Sequence, residues 1–372
     1  MKHATWSSFA LGGLALLASA CSSQAKESTN PPPPTVEVTP PPYGKPWDTL
    51  SQWNLFVDDD GETPADGVMP YEVNAPLFTD YTTKFRFLYL PKGKKIHYDA
   101  DAAWDLPVGA ALVKTFAMPA DVRHPDEDLR KLETRILFHE PDGWSVNTYV
   151  WSDDQKDAKR EIVGPILHLT FKGEHGETVH DAYAVPNQND CVKCHGFKEA
   201  TPLGPKTRQL NRDHDFGGSV GVKNQIDQYD ALGWFDGPLP AAASRAALVD
   251  PYGDGDLHER VRAYWDSNCG HCHTTGGYSG HSGLLLDYLS TDPKMNDANW
   301  GVCKSPTEAG GDTCGDTYDV VPGDPDHSIM VCRVSSTKEG TMMPPVGVQL
   351  LNAEGIDVVR QWIASLPKTG CP

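Results

Sequence analysis

Apolar and polar positions alternate in short runs through the first half of the chain, then recur every three or four residues toward its end. Six runs carry the first pattern: residues 85–90 (FRFLYL), 111–118 (ALVKTFAM), 134–140 (TRILFHE), 144–151 (WSVNTYVW), 166–171 (ILHLTF) and 179–185 (VHDAYAV). Each is rich in β-branched and aromatic residues, so each predicts a strand. EPDGW and KGEHGE between them predict hairpin turns. Residues 47–195 therefore predict an all-β region. Residues 196–255, with TPLGPKTRQLNRD and FGGSVG, predict an irregular connecting region wrapped over another part of the molecule. From Asp256 the period changes. Asp256 and Glu259 make a capping-box pattern, and Leu257, Val261, Tyr264 and Trp265 share one helical face. NAEGIDVVRQWIASLP predicts a second amphipathic helix, with Ile356, Val359, Ile363 and Leu366 inward and Pro367 as its stop. The expected class is α+β: a β-rich N-terminal domain followed by an α-helical domain over residues 256–372.

Two short motifs bring in chemistry. NDCVKCHGF contains Cys191, Cys194 and His195; SNCGHCHTTGG contains Cys269, Cys272 and His273. With 9 cysteines and 14 histidines in 372 residues, Cys-x-x-Cys-His is expected by chance on the order of 0.01 times in such a chain. Two copies need a cause. The spacing suits covalent haem c, in which each cysteine adds to a porphyrin vinyl group and the adjacent neutral imidazole reaches the iron. Pooling Cys191, Cys194, Cys269 and Cys272 as a zinc site joins pairs too distant for a compact ribbon. A redox disulfide belongs between a strand and a helix of a βαβ unit, and no such unit is predicted. Two covalently bound haems c are the expected cofactors.

Haem c is attached outside the bacterial cytoplasm, and the N-terminus agrees with export. MKHATWSSFALGGLALLASAC has a basic start at Lys2, a short apolar core and a small-residue cleavage site, so residues 1–20 predict a signal peptide. The apolar run is too short to span a bilayer. Cys21 directly after it resembles a bacterial lipoprotein acceptor, which places the lipid on Cys21 and, with Ser22 following, the protein at the outer membrane, periplasmic or cell-surface. Ordinary cleavage after Ala20 leaves Cys21 a spare thiol. Residues 21–46 are polar and proline-rich and predict a tether. Cys303, Cys314, Cys332 and Cys371 remain for disulfides in an oxidising compartment. Four cysteines allow three pairings. Cys303 with Cys314, leaving Cys332 with Cys371, closes the shortest loop, and the sequence does not decide among them.

The order of helix, Cys-x-x-Cys-His, Met-Pro loop and terminal helix resembles the class I cytochrome c fold. That resemblance implies His273 as one axial ligand of the second haem and Met343, directly before Pro344 and Pro345, as the other, in preference to Met342. A core-filling methionine is the alternative. His271, inside the motif, reads as a surface residue. The first motif lacks this grammar. His195 is its proximal ligand, and the sixth position is left among His168, His180, His139, His214, Met118 or nothing, with His168 and His180 foremost. PVGAALVKTF, GWSVNTYVW and NDCVKCHG loosely resemble β-rich monohaem cytochromes such as the cytochromes c-prime-beta. That resemblance implies an open, five-coordinate haem with Lys114 beside it; the alternative is Lys114 facing solvent.

Over residues 50–366 the chain resembles an uncharacterised family of exported bacterial dihaem c-type cytochromes. The stretches that carry it include PYEVNAPLFTDY, LETRILFHEPDGWSVNTYVWSDDQKDA, VPNQNDCVKCHG, PLGPKTRQLNRD, RAYWDSNCGHCH, VVPGDPDHSIM and MMPP. The resemblance implies two haems, export and no established substrate. Its genes often neighbour one for a parallel-β-helix repeat protein, which implies a candidate partner.

A formal net charge of −19 argues against nucleic acid and against anionic lipid as surface partners, leaving the lipid anchor as the membrane contact, and favours a basic or neutral redox partner protein. VDDDGETPAD and DPYGDGD have spaced carboxylates without the full EF-hand pattern and read as solvated loops rather than calcium sites. The expected function is electron transfer in the periplasm or at the outer membrane. The alternatives are a redox enzyme acting on peroxide or a nitrogen oxide, with Lys114 at its open haem, or a gas sensor at the Cys191/Cys194 haem. The β-rich first half argues against a dihaem peroxidase, which has two helical domains.

Overall fold

Strand-forming runs pair in the order in which the chain supplies them. The computed structural model describes residues 36–372 except 59–60, 62, 197–200, 295 and 308–313. The signal peptide, Cys21 and residues 21–35 of the tether lie outside the described residues. Strands β1 (Val68–Pro70), β2 (Thr83–Tyr89), β3 (Ala111–Pro119), β4 (Leu129–Glu140), β5 (Gly143–Trp151) and β6 (Ala158–Glu161) form one six-stranded antiparallel meander, each hydrogen-bonded to the next. β7 (Ile166–Lys172) and β8 (Thr178–Ala184) form a separate hairpin. Both expected turns are present: Glu140 pairs with Gly143 around Pro141-Asp142, and Lys172 pairs with Thr178.

The period of two sorts side chains to the sheet faces. On one face Phe87, Val113, Ile136, Phe138 and Tyr149 pack with Trp53 and Leu55 from the preceding segment. Residues 36–46, read from composition as tether, belong to this layer. Val36 and Val38 pack on the cluster, Tyr43 stacks on Phe138 at 5.9 Å, and the Trp47 indole donates to the Thr39 carbonyl. On the other face Leu88 and Leu112 pack with Leu210, Ile226, Tyr229 and Phe235. Residues 196–255 are thus more ordered than their composition predicts. They contain α2 (Thr207–Leu210), a small separate hairpin of β9 (Asp213–Asp215) and β10 (Val222–Asn224), and α3 (Gln225–Ala231), with α2 and α3 packed on the sheet through Leu210, Ile226 and Tyr229.

Helices α4 (Leu257–Asn268), α5 (Ile329–Val334) and α6 (Ala353–Ser365) follow. Asp256 caps α4 by accepting from the backbone N–H groups of His258 and Glu259. The Glu259 carboxylate turns instead to Arg262 at 2.8 and 3.0 Å. α4 and α6 cross with Trp265 edge-on to Trp362, ring centroids 4.8 Å apart. Gly355 makes the crossing possible: a Cβ there would lie 2.4 Å from the Tyr264 ring. The buried stripe of α6 includes Val358 and Trp362 beside the expected Val359 and Ile363, while Ile356 and Leu366 are half-buried. The disulfides are Cys303–Cys371 and Cys314–Cys332, nested rather than sequential. Proximity in the fold, with Cα separations of 5.2 and 6.2 Å, overrides the shortest-loop pairing. Among the described residues no helix is long and apolar enough to cross a membrane.

Candidate functional site

Each Cys-x-x-Cys-His motif is fixed by the local chemistry of its own helix. α1 (Gln188–His195) contains the whole first motif. Asn187 accepts from the N–H groups of Asn189 and Asp190, and the Asp190 carboxylate accepts from the Asn187 N–H, completing a capping box. Cys191, Cys194 and His195 then fall three and four residues apart, on one helical face. The second motif continues from α4. The Cys269 N–H donates to Trp265, and the Cys272 and His273 N–H groups donate to the Cys269 carbonyl.

The two motifs meet. A cavity of about 410 Å³, mostly apolar in its walls, is bordered by all four motif cysteines, both motif histidines and Met343. Strands β2 to β5 supply one wall, through Arg86, Leu112, Lys114, Arg135, Leu137 and Val146. Donor atoms of Cys194, His271 and Cys272 lie within 4.8 Å of one another, and the Cys272 thiol donates to the Lys193 carbonyl at 3.5 Å. His271 is therefore a half-buried cavity residue, not the surface residue its sequence context suggested. Hydrogen bonding to Cys272 and the nearby His271 pull the Cys194 thiol below its ordinary range; the same sharing pushes Cys272 up.

Both motif histidines are held alike. His195 Nδ1 lies 2.8 Å from the Thr201 carbonyl, and His273 Nδ1 lies 3.3 Å from the Leu284 carbonyl. A carbonyl accepts only from a protonated Nδ1, so each ring keeps Nε2 as a free lone pair. No hydrogen-bond partner reaches either Nε2 among the described residues. Burial keeps both rings neutral, lowering His195 and taking His273 down to about 4. A neutral imidazole tied at Nδ1 to a backbone carbonyl is the state of a metal ligand. The residues thus fit haem iron at both motifs. In a chain without haem, Cys194, Cys272 and His271 would instead offer three donors to another metal.

Met343 lies on the cavity wall beside Met342, its N–H donating to the Arg333 carbonyl at 3.0 Å. The loop is fastened from the other half of the chain. Buried Asp80 accepts from the N–H groups of Gln349 and Leu350, both at 2.8 Å, and Tyr81 donates to the Leu351 carbonyl at 3.0 Å. Desolvation raises Asp80 to about 6, against the pull of those two hydrogen bonds.

The structure does not bring the expected sixth ligands to the first motif. His168 and His180 are on the exposed side of the β7–β8 hairpin, with His180 Nδ1 3.0 Å from the Thr170 hydroxyl. His139 stacks on Trp144, His214 faces Glu72 at 3.3 Å, and Met118 is buried under the hairpin. None of the five borders the cavity. Lys114 does, rather than facing solvent; burial, then Arg86, Lys84 and Arg135, lower its ammonium well below the ordinary lysine range against the pull of Glu133. Sequence reasoning missed Arg86, Glu133 and Arg135. Their signal was faint: one basic residue interrupts the apolar run in each of three strands, FRF, VKT and TRI. No family model, curated protein or solved structure matches the chain.

Proposed function

We propose that this chain is a dihaem c-type cytochrome that carries electrons outside the cytoplasm. One observation carries the reading: two copies of Cys-x-x-Cys-His, far apart in sequence, converge on one cavity with each histidine neutral and its Nε2 free. Cys191 and Cys194 would hold one haem as thioethers with His195 on its iron, and Cys269 and Cys272 the other, with His273 and Met343. Bound haem supplies a one-electron ferric/ferrous couple. The chain does the rest. Apolar walls exclude water, the Thr201 and Leu284 carbonyls orient the imidazoles, and the Met343 thioether favours the ferrous state of the second haem. The α4–α6 crossing beside the second motif supports a class I cytochrome c arrangement for residues 256–372. Anchoring through a lipid on Cys21 at the outer membrane belongs to the same reading, as does a basic or neutral redox partner drawn by the net charge of −19.

A second reading, redox catalysis or gas sensing at the Cys191/Cys194 haem, is favoured by the absence of the five expected sixth ligands from the cavity wall, where Lys114 stands instead. The test is haem and metal content after expression with a haem c maturation system. Two haems per chain are expected, with one lost in C191A/C194A and one in C269A/C272A. Zinc without haem refutes the proposal. Ferric EPR and carbon monoxide addition separate the two readings: two low-spin haems indifferent to carbon monoxide support the carrier, and one high-spin haem that binds it supports the open site.

A further inference from the structure

The register of the meander aligns three cations. Arg86 on β2 pairs with Lys114 on β3, and Lys114 with Arg135 on β4. Side chains of directly opposed residues share a face about 5 Å apart, and all three border the cavity. The rung on one side, Leu88, Leu112, Leu137 and Val146, is wholly apolar; the rung on the other holds Lys84, Phe116 and Glu133, and Lys84 does not border the cavity.

One carboxylate is paired with this band directly, while Glu72, itself paired with Arg212, acts on Arg86 from farther away. Glu133 accepts from Arg135 Nε at 2.8 Å and Nη2 at 2.5 Å. Lys114 and Arg135 both lie over the Phe116 ring, at 4.7 and 4.3 Å from its centroid. Arg86 donates to the Lys84 carbonyl at 3.2 Å. Among the described residues no carboxylate forms an ion pair with Arg86 or Lys114. Of the other basic residues at the cavity, Lys193 has Asp190 at 2.9 Å, while Arg333, like Arg86, donates to a backbone carbonyl, that of Thr341. Like charges held side by side on a half-buried wall are costly; the lowered pKa of Lys114 relieves part of that cost, and an anion between it and Arg86 would relieve the rest.

We infer that the Arg86–Lys114–Arg135 band is an oxyanion-binding site of the cavity. Its ligand chemistry is a carboxylate or small inorganic oxyanion, taken by the Arg86 fork and the Lys114 ammonium while Glu133 keeps Arg135 in place. A haem carboxylate side chain and a free anion share that chemistry. The inference rests on the cytochrome reading for the first of these sources only.

The experiment uses the full mature protein, with haem content measured for every variant. Formate, nitrite and phosphate are titrated at constant ionic strength while the Soret band and both reduction potentials are followed. Arg86→Gln, Lys114→Gln and the exposed control Lys94→Gln are compared. If the ligand is a free anion, one of the three probes perturbs the wild type, and Arg86→Gln or Lys114→Gln weakens that response by roughly ten- to a hundredfold, the weight of one charge-assisted hydrogen bond. If the ligand is a haem carboxylate, the probes do nothing, and the pH dependence of one potential shifts in both variants and not in the control. Unchanged anion response and unchanged pH dependence, with two haems still bound, overturn the inference. Where Arg86→Gln does not fold, Lys114→Gln decides alone. Should the wild type hold no haem, the cytochrome reading has failed separately. The band then stands if phosphate raises the melting temperature of the wild type and not of Lys114→Gln, and falls if it raises neither.

Discussion

Removing the Glu133 carboxylate should be among the most damaging single changes in the sheet. Glu133 is fully buried and accepts three hydrogen bonds, two from Arg135 and one from the Tyr183 hydroxyl at 2.7 Å. Burial alone would push the Arg135 guanidinium down; Glu133 overcomes that and holds it above its usual range. In Glu133→Ala the half-buried guanidinium is left without its partner beside Lys114 and Arg86, and the Tyr183 hydroxyl loses its acceptor. Stripping one partner from a buried pair costs about 3–5 kcal/mol. In a chain of this size that lowers the melting temperature by roughly 4–7 °C. Glu133→Gln keeps the shape and an acceptor oxygen, so it should fall between wild type and Glu133→Ala. Glu133→Leu with Arg135→Met removes both charges and replaces them with apolar groups, so it should be less destabilised than Glu133→Ala despite two substitutions. Urea and thermal unfolding of the four proteins at pH 7 measure this order. A Glu133→Ala loss below about 1 kcal/mol, the range of an exposed pair, or a double variant worse than the single one, refutes the picture of a buried charge held by one carboxylate.

Three further outcomes follow from particular contacts. Gly355→Ala drives a methyl into the Tyr264 ring and the Asn352 amide, so it should cost about 1–3 kcal/mol, and Tyr264→Leu in the same chain should recover part of that loss in urea unfolding. Replacing Cys303 and Cys371 by serine opens a loop of 68 residues and should cost about 4 kcal/mol on chain-entropy grounds, against about 3 for Cys314 and Cys332 across 18; peptide mapping without reduction must recover these two pairs and no other. Asp80 has a folded pKa of about 6 against an ordinary 3.8, so the fold disfavours its ionised form. Stability from this group therefore rises as pH falls from 7 through 6 toward 4, by up to about 3 kcal/mol. Asp80→Asn keeps the oxygen that accepts from Gln349 and Leu350. It should be more stable than wild type at pH 7 and equal to it near pH 4, and a difference independent of pH over that range contradicts the assignment.

The elements were legible to the extent that their signals are local. Period-two runs placed six strands within a few residues, because burial on a sheet face depends only on alternation. ALVKTFAM is apolar on both faces because β3 is central, buried at every position but Lys114. The Asp256 cap and the apolar stripes of α4 and α6 were equally local. What the sequence hid is what depends on long-range placement. The disulfide partners are set by where α5 and the C-terminal tail lie, not by loop length. Residues 36–46 look like tether by composition, yet two valines and one tyrosine suffice to lay them on the sheet.

The site divides along the same line. Both motifs, and Met343 before its prolines, are read from adjacent residues. That the motifs face each other, that His271 lies between them, and that Asp80 ties down the methionine loop require the β-rich and helical halves to close on one cavity. The charged band shows the limit most sharply. FRF, VKT and TRI are each unremarkable, since an isolated lysine or arginine in a strand usually reaches solvent along its aliphatic stem. Only the β2–β3–β4 register makes them neighbours, and a slip of one residue in either pairing would send one of them to the opposite face. The same register that buries Phe87, Val113 and Ile136 on one side therefore obliges Arg86, Lys114 and Arg135 to share the other, so the pairing that builds the core also sets where the charge of the cavity falls.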